Sequence, residues 1–142
     1  LDGAAILIDK KHPIIGLTLR YDRLDNFWFN LMHELSHISL HHDQSFNFFY
    51  DDLDNPSISD QKQKEADQMA GEALVPQNKW ENSPAKLIPS PIAAESLARE
   101  LGVHIAIIAG KMQKEGDEYY YLSNITAQAK VRKYFSDIHW NK

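Results

Sequence analysis

The segment that most constrains this chain spans residues 31–38 and reads Leu-Met-His-Glu-Leu-Ser-His-Ile. His33 and His37 are four residues apart, so on an α-helix they lie one turn apart on the same face. Glu34 lies about 100° around the helix from His33. The flanking residues leave little polar surface, which predicts a largely buried helix over residues 25–42. The apolar positions are Phe27, Trp28, Leu31, Met32, Leu35, Ile38 and Leu40.

Two imidazoles and a carboxylate on a buried helix are costly unless each polar group finds a partner. A zinc ion would satisfy both imidazoles at once, because histidine nitrogens are common zinc ligands. The sequence therefore predicts a zinc site with His33 and His37 as ligands. Glu34 is predicted to be the base that takes a proton from the water that zinc activates. The alternative is that these are hydrogen-bonded histidines of an ordinary core.

The length and composition exclude several classes of protein. A chain of 142 residues predicts one compact domain over residues 1–142. The net charge of −5 argues against a domain that coats nucleic acid or an anionic membrane. The absence of cysteine excludes disulfides and thiolate metal sites. Without a membrane-length apolar run or a secretion signal, we expect a cytoplasmic protein. Because Leu1 leads almost directly into a strand-like run, we expect the C-terminal fragment of a longer regulator.

The distribution of periodic segments predicts an α+β fold. Residues 4–8 and 13–19 indicate two strands joined by a turn, and residues 46–50 could add an edge strand. Residues 51–57 indicate an acidic loop. We expect a small, mainly antiparallel sheet packed on the helix of His33 and on a second helix, followed by a C-terminal helical part.

The helical pattern continues to the end of the chain. A helix is predicted from Ser59 to Pro76, followed by an irregular stretch over 77–88 in which Trp80 is the anchor and Pro84 a breaker. Two further helices are predicted over 91–101 and 103–114. A strand-like run over 119–122 and a last helix over 123–135 complete the chain. Ser90, Pro91 and Gly102 are start and stop signals for the first of the later helices. Asp25 is the candidate N-cap of the helix that carries His33.

The predicted helices over 91–101 and 103–114 follow each other after a tight turn, as in a helix-turn-helix motif. Recognition helices read DNA bases mainly near their N-terminal end. The second helix offers only Lys111 and Lys114, both at its far end. We therefore interpret the pair as packed helices and expect no direct contact of this domain with nucleic acid.

A catalytic zinc needs a third protein ligand, and the residues alone leave its identity open. Asp43 follows His37 by six residues, as in the metzincin pattern. That pattern needs a glycine at position 40 to turn the chain, and Leu40 would instead continue the helix. His41 lies too far along the helix to join His33 and His37 on one ion. A carboxylate from the second helix is the other option.

Two longer segments resemble a known family. Residues 63–76 read Gln-Lys-Glu-Ala-Asp-Gln-Met-Ala-Gly-Glu-Ala-Leu-Val-Pro, and residues 16–29 read Gly-Leu-Thr-Leu-Arg-Tyr-Asp-Arg-Leu-Asp-Asn-Phe-Trp-Phe. The first, together with His-Glu-x-x-His, resembles the ImmA/IrrE-type metallopeptidases. The second is similar to the branch of that family fused to HigA-type helix-turn-helix antitoxin regulators. The resemblance covers residues 13–135.

The resemblance implies a gluzincin-like ligand set completed by a glutamate of the second helix. Matching the family motif gives Glu65 as third zinc ligand and Asp67 as a residue that orients a histidine through its other nitrogen. One form of the motif puts the ligand carboxylate at position 63, where this chain has Gln63. Loss of the third carboxylate, with a weak or empty metal site, therefore stays open.

Two functions follow from the resemblance. In the first, the domain is a zinc metallopeptidase that cleaves a specific cytoplasmic protein, such as a repressor or antitoxin, with Glu34 as base. In the second, it is a non-catalytic regulatory or protein-binding domain of a transcriptional regulator. Glu34 favours the first function, and Gln63 favours the second. Both functions imply that the domain acts on or binds a protein or peptide and does not contact a membrane.

Overall fold

The computed structural model describes residues 2–9, 11–41, 56–116 and 122–140. The chain groups into two compact units. Unit 1 comprises Leu1–Thr18 and Phe29–Pro76, and unit 2 comprises Leu19–Trp28 and Gln77–Lys142. The expectation of a single domain stays a prediction.

Unit 1 begins with a β-hairpin. Strands β1 (Gly3–Ile8) and β2 (His12–Leu17) pair antiparallel, with Gly3 opposite Leu17 and Ile8 opposite His12. Asp9 turns the chain between them with a φ of 53°, a conformation that aspartate tolerates better than most residues. Both predicted strands are confirmed, although the second ends two residues early. The proposed edge strand over 46–50 lies outside the described residues.

Helix α1 (Leu24–His41) confirms the helix predicted from the His-Glu-x-x-His segment. It starts one residue before Asp25, so the prediction that Asp25 is the N-cap is wrong. The Asp25 carboxylate instead accepts from Arg23 Nε at 3.1 Å and from Arg23 Nη2 at 2.6 Å. The helix is also more exposed than predicted, since Leu35 and Leu40 are 42% and 44% exposed. Glu34, Ser36 and His37 are its buried polar residues.

Helix α2 (Pro56–Leu74) completes the described part of unit 1 and starts three residues before the predicted Ser59. Its buried stripe consists of Ala66 and Ala70, both fully covered. Met69, on the same helix, is 39% exposed. The mixed arrangement of strands and predominant helices confirms the α+β class.

Unit 2 is helical in its described residues. Its elements are α3 (Gln77–Glu81), α4 (Pro84–Leu87), α5 (Pro91–Leu101), α6 (Ile105–Glu115), α7 (Ser123–Gln128) and a 3₁₀ turn (Arg132–Tyr134). The prediction of an irregular stretch over 77–88 is wrong, because α3 and α4 lie there. Pro84 begins α4 rather than breaking structure, as its fixed φ and missing N–H allow at a first helical position.

The predicted anchor and helix signals of unit 2 are confirmed. Trp80 is 1% exposed, and its Nε1 donates to Glu115 Oε2 at 2.8 Å. Ser90 accepts a hydrogen bond from Ala93 N, and Gly102 ends α5 at a φ of 68°. Helices α5 and α6 bury matching apolar faces, consistent with a packed pair. The buried residues are Ala93, Ala94, Leu97, Ala98, Ala106, Ile107, Ile108, Ala109 and Met112.

The last predicted helix, over 123–135, is wrong in length. Helix α7 stops at Gln128, and the next backbone groups bind the loop that precedes α1. Ala129 O accepts from Leu24 N at 2.9 Å, and Asp22 Oδ1 accepts from the N–H groups of Val131 and Arg132 at 3.0 and 2.8 Å. These long-range bonds replace the local ones that a continued helix would make. Of the strand-like run predicted over 119–122, residues 119–121 lie outside the described residues. Leu122 is described and has helical rather than extended backbone angles.

Candidate metal centre

The two histidines of α1 converge as their spacing predicts. His33 Nε2 and His37 Nε2 are 3.0 Å apart, and the ring centroids are 4.7 Å apart. His37 is 7% exposed, and the His33 side chain is 14% exposed. Both nitrogens therefore face one small, sheltered volume.

A third polar atom reaches this volume from α2. Gln63 Oε1 lies 2.9 Å from His33 Nε2 and 3.4 Å from His37 Nε2. An amide oxygen carries lone pairs, as does the unprotonated nitrogen of a neutral imidazole. The three atoms can therefore surround a cation.

Asp67 holds the opposite side of the His33 ring. Its Oδ1 lies 2.7 Å from His33 Nδ1. A carboxylate accepts, so Nδ1 carries a proton and donates it, which in the neutral ring leaves Nε2 with its lone pair. The contact predicted between Asp67 and a histidine is thus present.

Glu34 lies on the neighbouring face of α1, against the hairpin. It is 7% exposed. Burial raises the pKa of its carboxyl group, and the nearby His33 partly opposes that rise. A Cβ atom at Gly3 would lie 2.9 Å from Glu34 Oε1, so a glycine in β1 lets the backbone approach this carboxylate closely. A sheltered carboxyl group with a raised pKa is well suited to proton transfer near neutral pH.

Glu65, the predicted third ligand, is exposed on α2 and accepts a hydrogen bond from Gln61 Nε2 at 2.9 Å. Glu65 is two residues from Gln63, which corresponds to about 200° around the helix axis. The two side chains therefore project from opposite sides of α2. Among residues 2–9, 11–41, 56–116 and 122–140, no three of histidine, cysteine, aspartate and glutamate form a group that could hold a metal. Gln63 is an amide and is not one of these four residue types.

Asp43, the metzincin-type candidate for the third ligand, falls outside the described residues. The contact of Gln63 with both histidines was not predicted. Its signal was the departure from the family glutamate at position 63.

Paired imidazoles on a His-Glu-x-x-His helix, faced by polar residues of a second helix, define a metallopeptidase-like domain. The family comparison agrees, since the model of the IrrE N-terminal-like domain, Peptidase_M78, matches residues 2–113. The chain belongs to this family. No curated protein and no solved structure matches the chain.

No helix in the described part of the chain combines the length and apolar character that crossing a bilayer requires.

Proposed function

We propose that this domain is a zinc-dependent peptidase, with His33 and His37 as metal ligands and Glu34 as catalytic base. The observation that carries the proposal is the convergence of the two Nε2 atoms at 3.0 Å beside a buried glutamate. Two ligands of one tetrahedral zinc are expected about 3.3 Å apart, given bonds of about 2.0–2.1 Å. The two histidines therefore fit the ion with little rearrangement.

The division of work follows from the residue types. Bound zinc would polarise the scissile carbonyl and make a water molecule more acidic. The Glu34 carboxylate accepts a proton from the attacking water as the new C–O bond forms, and then delivers it to the leaving amine as the C–N bond breaks. Asp67 keeps the His33 ring oriented through Nδ1. For the third ligand the family motif implies Glu65 of α2, whereas Gln63 is an α2 residue whose oxygen lies within 3.4 Å of both histidines.

For the substrate we propose a protein or peptide, specifically a cytoplasmic regulator such as a repressor or an antitoxin. The support is the resemblance to the antitoxin-fused branch of the family. We further propose that this domain does not itself bind nucleic acid. Its support is the acidic net charge of −5 and the use of α5 and α6 for packing against each other.

A second candidate is a non-catalytic regulatory domain in a transcriptional regulator of a toxin–antitoxin system. The observation that favours it is Gln63, a neutral side chain at the position where the histidines meet α2. A neutral amide holds a divalent cation less strongly than a carboxylate does, so the site could have lost its catalytic metal.

The substitution Glu34→Gln separates the two functions. Under the peptidase proposal, the zinc-loaded Glu34→Gln variant loses about 10²–10⁴-fold of its rate on casein or a fluorogenic peptide library, because the proton acceptor is gone. Zinc content should not change. Glu95→Gln, an exposed glutamate of α5, is the matched control and should keep full activity.

Equal cleavage by the parent and Glu34→Gln proteins would exclude Glu34 as base. Zinc binding without cleavage of any substrate, in the parent protein, would favour the regulatory function.

A further inference from the structure

We propose that the amide oxygen of Gln63, rather than the carboxylate of Glu65, is the third protein donor of the metal centre. The inference rests on the proposed function, since it takes the zinc site of His33 and His37 as given. One form of the family motif puts a carboxylate at position 63, and the new element of the proposal is that the neutral amide of this chain takes that place.

The distances among the three atoms carry the proposal. His33 Nε2, His37 Nε2 and Gln63 Oε1 form a triangle with edges of 3.0, 3.4 and 2.9 Å. Three corners of a tetrahedron around zinc have edges of about 3.3–3.4 Å, given metal–ligand bonds of about 2.0–2.1 Å. Each edge is thus within a few tenths of an ångström of the value that one ion requires, without moving either helix.

The hydrogen-bonding chemistry points the same way. Asp67 takes the Nδ1 proton of His33, so in the neutral ring Nε2 is an acceptor. Gln63 Oε1 is also an acceptor, and the two face each other at 2.9 Å. Two acceptors at this distance repel each other unless a proton or a metal ion lies between them. A metal ion coordinated by both atoms, and by His37 Nε2, removes the repulsion.

Helix geometry assigns complementary roles to the two residues of α2. Gln63 and Asp67 are four residues apart on one face, so they reach opposite nitrogens of the same imidazole. Glu65 leaves the other side of the helix and pairs with Gln61. A rotation of α2 that turned Glu65 inward would remove both contacts to His33 and would expose the covered Ala66 and Ala70 stripe.

The donor set has a consequence for affinity. Two imidazoles and an amide bring no negative charge into direct contact with the ion, so zinc binds more weakly than with a carboxylate as third donor. Position 63 therefore sets the zinc affinity of this chain.

Zinc affinity of the full chain, measured by competition with a chelator of known affinity, tests the proposal. Gln63→Leu keeps a side chain of similar size but removes every donor atom. It should weaken zinc binding by more than about tenfold, since even the hydrogen-bond partners of metal ligands contribute that much. Gln63→Glu should tighten zinc binding by at least a similar factor. Glu65→Gln is the matched control, two residues away on the same helix, and should leave the affinity unchanged.

Cobalt(II) gives a second readout that does not depend on activity. Four-coordinate cobalt absorbs strongly in the visible region, and Gln63→Leu should lose that band while Glu65→Gln keeps it. The circular dichroism of each metal-free variant shows whether it has folded.

Unchanged zinc affinity in Gln63→Leu would overturn the proposal, since the ion would then bind without the Gln63 oxygen. Loss of zinc in Glu65→Gln would overturn it in favour of Glu65. If His33→Ala still abolishes binding in either case, the zinc site of the proposed function stands. Absence of zinc binding in the parent and in Gln63→Glu alike would overturn both proposals.

Discussion

His33 is the residue on which the site depends most, because both of its ring nitrogens are occupied. Asp67 binds Nδ1 at 2.7 Å, while Nε2 faces Gln63 and His37. The ring therefore has one orientation and one neutral tautomer. A preset ligand loses little conformational entropy on binding a metal, which would favour metal binding at the proposed site.

A second residue with several partners is Asp22, in the loop ahead of α1. It has a φ of 44°, and its Oδ1 accepts from two backbone N–H groups, those of Val131 and Arg132. Burial alone would raise the pKa of Asp22, but these hydrogen bonds and the charges of Lys130 and Arg132 outweigh it, so the pKa is lowered.

The lowered pKa of Asp22 predicts a pH-dependent contribution to stability. Asp22→Ala should lower the free energy of unfolding by about 2 kcal/mol near neutral pH, because two N–H groups lose a charged acceptor. A group whose pKa falls on folding stabilises the protein above its unfolded pKa, and that stabilisation is lost as the pH drops through the folded value. The difference between the parent and Asp22→Ala should therefore shrink below about pH 4.

Urea unfolding followed by circular dichroism at several pH values measures this difference. Asp22→Asn is the control, since asparagine tolerates positive φ and retains an acceptor oxygen. It should lose less stability than Asp22→Ala. A difference between parent and Asp22→Ala that stays constant down to pH 2 would contradict the assignment.

At the scale of elements, two glycines inside helices have opposite surroundings. A Cβ at Gly110 of α6 would lie 2.5 Å from Asp25 Oδ2, whereas a Cβ at Gly71 of α2 would meet nothing within 4 Å. Asp25 cannot easily move aside, because Arg23 holds both of its carboxylate oxygens. Gly110 therefore permits a close approach within unit 2, while Gly71 has no such role.

The two alanine substitutions should change stability in opposite directions. Gly71→Ala should raise the free energy of unfolding by about 0.5–1 kcal/mol, the helix-propensity gain over glycine. Gly110→Ala should lower it by about 1–3 kcal/mol, because the overpacking outweighs the same gain. Chemical denaturation of both variants tests the pair. Stabilisation by both would mean that Asp25 and its neighbours adjust at little cost.

At the scale of the whole molecule, metal binding should be coupled to folding. A ligand that binds only the native state stabilises it by about 2.7 kcal/mol when its concentration is one hundred times Kd. Zinc should therefore raise the melting temperature of the parent protein, and a chelator should reverse the rise. Differential scanning fluorimetry measures both effects.

The double variant His33→Ala/His37→Ala is the control for this coupling. Without the two imidazoles, zinc and chelator should leave its melting temperature unchanged. An equal zinc response in the parent and the double variant would place the stabilising ion elsewhere in the chain.

The sequence by itself determined the elements whose signals are local. The four-residue spacing of His33 and His37 placed two imidazoles on one helix face, and two short β-favouring runs joined by a turn predicted the hairpin. Ser90, Pro91 and Gly102 marked the ends of α5 through backbone preferences that act within a single turn. The membership of the metallopeptidase-like family likewise follows from residues close in sequence.

Only the tertiary structure decided which partners distant segments find. The early end of α7 depends on hydrogen bonds from residues 129–132 to a loop more than 100 positions earlier, and no local pattern contains that loop. The contact of Gln63 with the histidines depends on how α2 is rotated about its axis. A helical wheel fixes the angles among positions 63, 65 and 67 but not their absolute direction, which the packing of Ala66 and Ala70 sets.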